Sequence, residues 1–568
     1  HNRTQKILIV GGVAGGASTA ARLRRNSEND QIIMFERGPH VSFSNCSLPY
    51  YLSDTIQNAE SLVLMSPEKF LKQYNIQARV NNEVIAIDRK NKNVSVKNVL
   101  TNEIYTENYD KLILSPGAKP IVPPIPGKEF VNIFTVRNVV DITKLKQSIL
   151  EHMPRNIAVI GGGFIGVEVA ENLREAGYKV SLIEAMPQIM RTFDYDMVQI
   201  LHKEMNDHEI DLIVNDKVDS FAQDQVILGS GKTVLADVVI MAIGVAPETD
   251  LAKQAELTIG KTGAIAVNDA CQTNDPDIYA VGDAIEVSGA LFADKFKLAL
   301  AWPAQVQARG VADHINGKEF KNLSYIGSSC IKIFDYNAAS TGLTEGFIQA
   351  TKMNLDYEIV MITPNDQVSL MPTNHTMFFK LLFEKVTGRV LGAQAIGKGN
   401  VDKRIDVIAT AIKFNATVQD LIDLELCYAP PFSTAKDVVN MAGYVASNLL
   451  NGAFAQISVA QVRELVQQDA LILDVREAAE LAKGRIINSL HIPLSELRAR
   501  VNELPRDQAI YIHCRSGQRS YNAVLALQNL GYTQVFNLAG GFLSLSFYEA
   551  FNDQDLKRTP IVTAYNFN

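Results

Sequence analysis

Residues 156–167 read Asn-Ile-Ala-Val-Ile-Gly-Gly-Gly-Phe-Ile-Gly-Val. The run Ile157-Ala158-Val159-Ile160 is short and apolar throughout, the pattern of a strand buried on both faces. Gly161, Gly163 and Gly166 fill the three positions of a G-x-G-x-x-G turn, and Val167–Glu175 continues as a helix. A further apolar strand, Val180–Ile183, ends at Glu184. Such a strand–turn–helix–strand unit aims backbone N–H groups at a pyrophosphate, and its acid accepts hydrogen bonds from ribose hydroxyls. Gly161, Gly163, Phe164, Ile165 and Glu184 are therefore candidate dinucleotide contacts. A carboxylate at Glu184 accepts from a free 2′-hydroxyl and repels a 2′-phosphate, which favours NADH over NADPH.

The same pattern stands at the start of the chain. Lys6–Val10 is a short strand, Gly11-Gly12-Val13-Ala14-Gly15-Gly16 a glycine-rich turn, Ala17–Leu23 a helix, and Ile32–Phe35 a strand ending at Glu36. Val13 occupies the middle glycine position, and taken alone such a turn also suits other α/β proteins. Two units in one chain imply two dinucleotides, one of them held permanently. Three further strands end on tight turns: Leu112–Leu114 before Ser115-Pro116-Gly117, Met241–Ile243 before Gly244 with Pro247 beyond, and Ile278–Val281 before Gly282-Asp283.

Composition bounds the rest. The 568 residues suggest three to five domains. A formal charge of -8 gives no basic footprint for nucleic acid, and no apolar run reaches the length of a membrane span. The five cysteines, Cys46, Cys271, Cys330, Cys427 and Cys514, are scattered without a C-x-x-C pair. That argues against a structural zinc site and a secreted disulfide framework, and no metal is expected. With no apolar leader ahead of Lys6, a cytoplasmic location is expected.

Taken together, these segments resemble the two-dinucleotide flavoprotein pyridine nucleotide-disulfide oxidoreductases from residue 6 to about residue 450. The resemblance implies FAD and NADH, with Asp283 on the flavin ribityl chain. It adds Gly11, Val13, Ala14, Gly15, Glu36, Arg37, Ser115, Gly117, Gly282 and Gly244 to the cofactor contacts. Members with dithiol chemistry carry two nearby cysteines; here Val41-Ser42-Phe43-Ser44-Asn45-Cys46-Ser47-Leu48-Pro49-Tyr50-Tyr51 has one. A lone thiol can cycle only with an outside sulfur or oxygen, as a mixed disulfide, a persulfide or a sulfenic acid. Pro49 suits a helix beginning just after Cys46, and a helix N-terminus would lower the thiol pKa.

SFSNCSLPYY resembles the coenzyme A-disulfide reductase branch, with Ser47 where many relatives have glycine. The competing branch, the NADH oxidases and peroxidases, stabilises a sulfenic acid; its peroxidases carry a histidine in the first glycine turn, where this chain has Val13-Ala14. Glu425-Leu426-Cys427-Tyr428-Ala429-Pro430-Pro431-Phe432 resembles a segment whose tyrosine reaches the cysteine site of the other subunit of a homodimer. Tyr428 is thus a candidate for holding a leaving thiolate, or else an ordinary interface tyrosine. A second tyrosine that relatives carry in a YYPG segment is lost in Leu370-Met371-Pro372-Thr373. The resemblance implies coenzyme A contacts at Ser18, Arg22, Arg25, Ser42, Phe43 and Asn45, with Lys69 or Lys72 as further cations, while Val306 stands where some relatives have arginine.

Beyond residue 450 a new α/β pattern begins: a helix over Ser458–Val466, a strand Leu471–Asp474, and a strand Ala509–His513 running into Cys514-Arg515-Ser516-Gly517-Gln518-Arg519, with a helix from Ser520. A thiolate at the head of such a loop sits among backbone N–H groups, and Arg515 and Arg519 add charge for an anionic sulfur species. LDVRE, His491-Ile492-Pro493 and CRSGQRS resemble the rhodanese domain, whose sulfur-transfer members have this six-residue loop. Asp474 and Arg476 are expected to anchor it.

The expected architecture is α/β, with two Rossmann-like dinucleotide-binding domains, an α+β dimerisation domain and a C-terminal α/β rhodanese domain. The expected boundaries are 1–120 and 248–324 for FAD, 121–247 for NADH, 325–450 for dimerisation and 456–568 for rhodanese. The expected activity is NADH-dependent reduction of coenzyme A persulfide, polysulfide or disulfide through Cys46, with Cys514 carrying sulfane sulfur. The alternatives are a coenzyme A-disulfide reductase that maintains thiol balance, an NADH oxidase, and a redox-sensing partner of another protein.

Overall fold

In the computed structural model the strand Lys6–Val10 lies at the centre of a five-stranded parallel sheet, ordered Ile278–Ala280, Lys111–Leu114, Lys6–Val10, Gln31–Glu36, Gln77–Val80. Leu8 pairs with Ile33 on one side and Leu112 on the other, and all three are fully buried. Burial on both faces explains why these strands read as continuous apolar runs rather than alternating ones. The structure describes residues 3–13, 15–298 and 301–568. They fall into two units, residues up to Ala185 with Asn215–Tyr325, and Met186–Val214 with Ile326–Asn568.

The first unit holds the second nucleotide fold as well. Its parallel strands run Asn132–Phe134, Val238–Met241, Asn156–Ile160, Lys179–Ile183, with Ala158 opposite Ser181 and Val239. The helices Gly16–Asn26 and Phe164–Glu175 leave the two glycine turns. Antiparallel three-stranded sheets, 82–108 and 218–235, flank the two folds.

The second unit contains two sheets of different character. One is antiparallel, ordered Ser328–Ile333, Tyr336–Gly342, Val390–Gly397, Met377–Glu384, Tyr357–Ile362, with the helix Val401–Lys413 against it. The other is parallel, ordered Ala455–Ile457, Val535–Leu538, Ile510–His513, Leu471–Asp474, Leu490–His491. The helix at its start is Val459–Gln467, capped by Ser458 and Gln461, and the one after the Cys514 loop begins at Gln518 rather than Ser520.

The helix Tyr195–Asp207 belongs to this second unit and packs on Gly541–Asp555: Asn552 donates to Tyr195 Oη at 3.0 Å, and the His202 and Phe551 rings are 4.8 Å apart. Beside it the fully buried Lys380 ammonium is met by Asp194 at 3.1 Å, Asp196 at 2.9 Å and Glu345, the compensation that a buried charge requires. No helix among the described residues is long and apolar enough to cross a membrane.

Candidate active sites

The two glycine turns share one construction. A Cβ on Gly16 would lie 1.8 Å from the Gly11 carbonyl oxygen, and one on Gly166 would lie 1.8 Å from that of Gly161. These glycines are dictated by helix-to-strand packing. Gly11 and Gly161 have φ of 93° and 113°, which only glycine adopts at ease. Gly163 is different: it caps the helix Phe164–Glu175, and nothing lies within 4 Å of where its Cβ would be. That open volume before a helix N-terminus fits a phosphate. Gly117, with φ 72°, is likewise open.

The acids close each turn. Glu36 accepts from the Gly12 N–H at 3.3 Å and the Gly38 N–H at 2.8 Å, and Glu184 accepts from the Gly162 N–H at 3.0 Å. Ser115 Oγ donates to the Val13 carbonyl at 3.1 Å, while Ala14 lies outside the described residues. Arg37 makes two bonds to Glu248, at 2.7 and 2.8 Å. The Gly282 N–H donates to Gln307 at 2.8 Å, and burial pushes the Asp283 carboxyl up. These residues fit two dinucleotides, one per turn.

Cys46 departs from expectation. No α-helix begins after it; Asn45–Tyr51 is a seven-residue 3-10 helix that contains both Cys46 and Pro49. Pro49 offers no N–H, and a short 3-10 segment lacks the aligned donors of an α-helical N-terminus. Cys46 is exposed, but packing around it, with Glu168 and Asp283 nearby, pushes its thiol up rather than down. Glu168 comes from the helix Phe164–Glu175 and hydrogen-bonds Tyr50; burial and the neighbouring Glu171 lift its carboxyl to about 7. Ser53 donates to Asn172 at 2.7 Å and Lys146 to the Tyr51 carbonyl at 2.8 Å, which fastens the cysteine segment to two helices. Ser42 and Phe43 form a two-residue strand against Val63–Met65, just ahead of Asn45.

A cavity of about 620 Å³ opens between the helices Gly16–Asn26 and Ala301–Ile315, lined by Ser18, Arg22, Arg25, Trp302, Val306 and Arg309, among others. Two of its arginines are engaged. Arg22 bonds Asp313 at 2.9 and 3.4 Å, and Arg25 lies over the Tyr74 ring at 5.7 Å. Arg309 carries no ion pair among the described residues. It sits seven residues after Trp302, on the same helix face, and that periodicity was available in the sequence. Lys69 and Lys72 are exposed on the helix Pro67–Tyr74, outside the cavity lining.

In the second unit, Tyr428 is half exposed and Leu370 almost fully so. Cys514 is fully buried, with the Gly517 N–H 3.1 Å and the Ser520 hydroxyl 3.4 Å from its Sγ. Gly541 must be glycine here: its φ is 63°, and a Cβ would lie 2.4 Å from the Arg515 carbonyl oxygen. Both loop cations have partners. Arg519 bonds Glu480 at 2.7 and 2.9 Å, and Arg515 donates to the Asn568 carbonyl at 2.9 Å. Asp474 and Arg476 form a buried pair, 0% and 1% exposed, with three side-chain bonds between them and a fourth from Arg476 to the Gly484 carbonyl. Burial alone would raise the Asp474 carboxyl; His513 and Arg476 outweigh it and hold it below the usual range. Sequence reasoning missed Glu168, Gln307, Arg309 and Glu480. No motif marks the two glutamates or Gln307, because only the packing gives them partners.

Comparison with known proteins agrees with this geometry. The family model for pyridine nucleotide-disulphide oxidoreductases matches residues 5–308, its dimerisation-domain model residues 328–438, and the rhodanese-like domain model residues 458–546. The structure of reduced Bacillus anthracis CoADR-RHD is similar at 46% identity and a TM-score of 0.93, over 96% of this chain and 99% of that one. A NAD-dependent persulfide reductase from A. fulgidus is similar at 33% identity and a TM-score of 0.89, over 95% of this chain and 99% of that one. The coenzyme A disulfide reductase of Staphylococcus aureus strain JH9 is 36% identical over 445 residues, 78% of this chain and 99% of its own. With the oxidoreductase, dimerisation and rhodanese-like domains all matched, the chain belongs to the pyridine nucleotide-disulphide oxidoreductases and carries a rhodanese-like domain in the same polypeptide.

Proposed function

We propose that the chain reduces persulfide, polysulfide or disulfide bonds of coenzyme A-type thiols with NADH, through Cys46, and that Cys514 transfers sulfane sulfur. The observation that carries this reading is the pairing, in one chain, of an exposed Cys46 near Glu168 and Asp283 with a buried Cys514 whose Sγ accepts from the Gly517 N–H. The names of the similar proteins, a coenzyme A disulfide reductase and a NAD-dependent persulfide reductase, support it.

FAD would be held by Gly11, Val13, Ala14, Gly15, Glu36, Arg37, Ser115, Gly117, Gly282 and Asp283, and NADH by Gly161, Gly163, Phe164, Ile165, Glu184 and Gly244. When bound, the two cofactors supply the electron pair that cleaves the sulfur adduct of Cys46. The Cys46 thiolate attacks one sulfur of the substrate S–S bond; a new S–S bond forms at Cys46 and the second sulfur leaves as a thiolate. In a homodimer, Tyr428 holds that leaving thiolate at Cys46 of the partner subunit. Ser18, Arg22 and Arg25 in the cavity, with Ser42, Phe43 and Asn45 beside Cys46, receive the coenzyme A moiety. The Cys514 thiolate attacks the outer sulfur of a persulfide or polysulfide donor; the donor S–S bond breaks, the donor leaves as a thiolate, and the Cys514 persulfide is stabilised by the Gly517 N–H, with Arg515 and Arg519 binding the anionic sulfur species.

A second reading, a coenzyme A-disulfide reductase with an accessory rhodanese, is favoured by the Staphylococcus relative, whose match spans 78% of this chain. Turnover on coenzyme A disulfide and on coenzyme A persulfide separates the two. Cys46→Ser is expected to abolish NADH turnover with both; full turnover in that variant would overturn the mechanism. Cys514→Ser is expected to spare small soluble substrates and impair sulfur loaded through the rhodanese domain. Rapid oxygen consumption without any thiol substrate would instead favour the NADH oxidase reading.

A further inference from the structure

Tyr428 lies in an irregular stretch between the helices Val418–Asp423 and Val438–Leu450. A phenol that must meet a thiolate needs its backbone fixed, and no ladder of main-chain bonds does so here. Within the stretch, Phe432 and Ser433 N–H both return to the Ala429 carbonyl, at 2.9 and 3.2 Å, and Ser433 Oγ donates to the Cys427 carbonyl at 3.0 Å. These bonds make a closed turn but leave it unattached to the body of the unit.

At the start of the stretch Asn440 Nδ2 donates to the Leu424 carbonyl at 3.1 Å; the turn itself is held by a neighbouring loop, between the strands Tyr357–Ile362 and Met377–Glu384. Gln367 Nε2 donates to the Pro431 carbonyl at 2.8 Å, while Thr373 Oγ1 donates to Gln367 Oε1 at 2.6 Å. The second bond matters as much as the first. A primary amide can present either end; the Pro431 carbonyl, which only accepts, selects the NH2, and the Thr373 hydroxyl holds the oxygen end by donating to it. The loop is itself tied at its base. The buried Arg404 donates to the Asp366 carbonyl at 3.0 Å and to Asp437, the cap of the helix that follows Tyr428, at 3.2 Å. One guanidinium thus fixes both the residue before Gln367 and the far end of the tyrosine stretch. Among the described residues the Tyr428 hydroxyl has no hydrogen-bond partner of its own, so no bond from the phenol itself holds it in place.

We propose that Gln367, oriented by Thr373, is a positioning residue for Tyr428: the pair holds the Pro431 carbonyl and thereby sets where the phenol points. This rests on the reading of Tyr428 as the group that holds the leaving thiolate. Thr373 stands in the segment Leu370-Met371-Pro372-Thr373, and through it that loop acts on Tyr428.

The test uses the full-length flavoprotein with coenzyme A disulfide as the probe. Thr373→Val removes the hydroxyl and keeps the shape; Thr373→Ser restores the hydroxyl. Thr373→Val is expected to lower kcat about tenfold, with both KM values within about twofold, because a small misplacement of a catalytic group costs rate rather than binding. Thr373→Ser is expected to recover wild-type kcat. Tyr428→Phe is expected to lower kcat, and the double variant Thr373→Val with Tyr428→Phe to be no slower than Tyr428→Phe alone. An unchanged kcat in Thr373→Val beside an impaired Tyr428→Phe overturns the proposal. So do multiplicative losses in the double variant, or a loss that Thr373→Ser does not recover. A Tyr428→Phe enzyme with wild-type kcat removes the underlying reading, and the proposal with it.

Discussion

Gly163 and Gly166 stand three residues apart in one turn, yet alanine at each is expected to fail differently. At Gly166 a Cβ would lie 1.8 Å from the Gly161 oxygen and 2.9 Å from its carbonyl carbon. Ordinary contact needs roughly 3.4 Å or more, and the obstacle is backbone: Gly161 is held by its own N–H bond to the Ile183 carbonyl at 2.8 Å. Relief therefore means moving the strand or the helix, which costs about 1–3 kcal/mol or more. For a unit of this size that is a fall of roughly 2–12 °C in its melting transition. At Gly163 the Cβ position is empty to 4 Å and φ is -80°, which alanine accepts. Only the helix cap suffers, by about 1 kcal/mol at most. The added methyl does enter the space before the helix N-terminus where a phosphate would approach. Thermal unfolding and the KM for NADH, measured on both variants, separate the effects. Gly166→Ala should lose stability; Gly163→Ala should keep it within about 2–4 °C and raise the KM about tenfold. Equal destabilisation of the two, or an unchanged KM for NADH in Gly163→Ala, would refute the reasoning.

Two further outcomes follow from the electrostatics. Glu168, with its carboxyl lifted to about 7, is charged above that pH and then raises the Cys46 thiol. Glu168→Gln should therefore speed alkylation of Cys46 roughly threefold or more at pH 8 and leave it unchanged below pH 6; a slower or pH-independent effect argues against the pairing. Asp474→Asn strands the buried Arg476 charge and should cost about 3–5 kcal/mol in unfolding of the rhodanese-like domain. Because the Asp474 pKa is lowered in the fold, its contribution is present above the unfolded value and is lost as pH falls through the folded one. Denaturation curves between pH 7 and 3 should show that acid-side loss in the wild type and a shallower one in the variant.

Much was legible before any coordinates, because it is local. The strand Asn156–Ile160, its glycine turn, the helix Phe164–Glu175 and Glu184 follow from apolar runs and from glycines that no other residue replaces. The Cys514 loop is legible for the same reason: a buried strand ends on a thiol, and glycine supplies φ of 106° at Gly517. The state of Cys46 was not legible. Pro49 next to a thiol suggested a helical N-terminus, whereas the chain forms a 3-10 helix fastened by Asn172 and Lys146, residues more than ninety positions away.

The sequence by itself thus determined the element types, the two nucleotide turns and the positions of the two candidate thiols, since backbone geometry and side-chain chemistry are written residue by residue. Only the tertiary structure decided the electrostatics. It placed Glu168 near Cys46, Glu480 on Arg519, Asp313 on Arg22 and Gln367 under the Tyr428 stretch. Charges and hydrogen bonds act through space over a few ångströms, and partners that the fold brings that close stand from 39 to 291 residues apart in the chain.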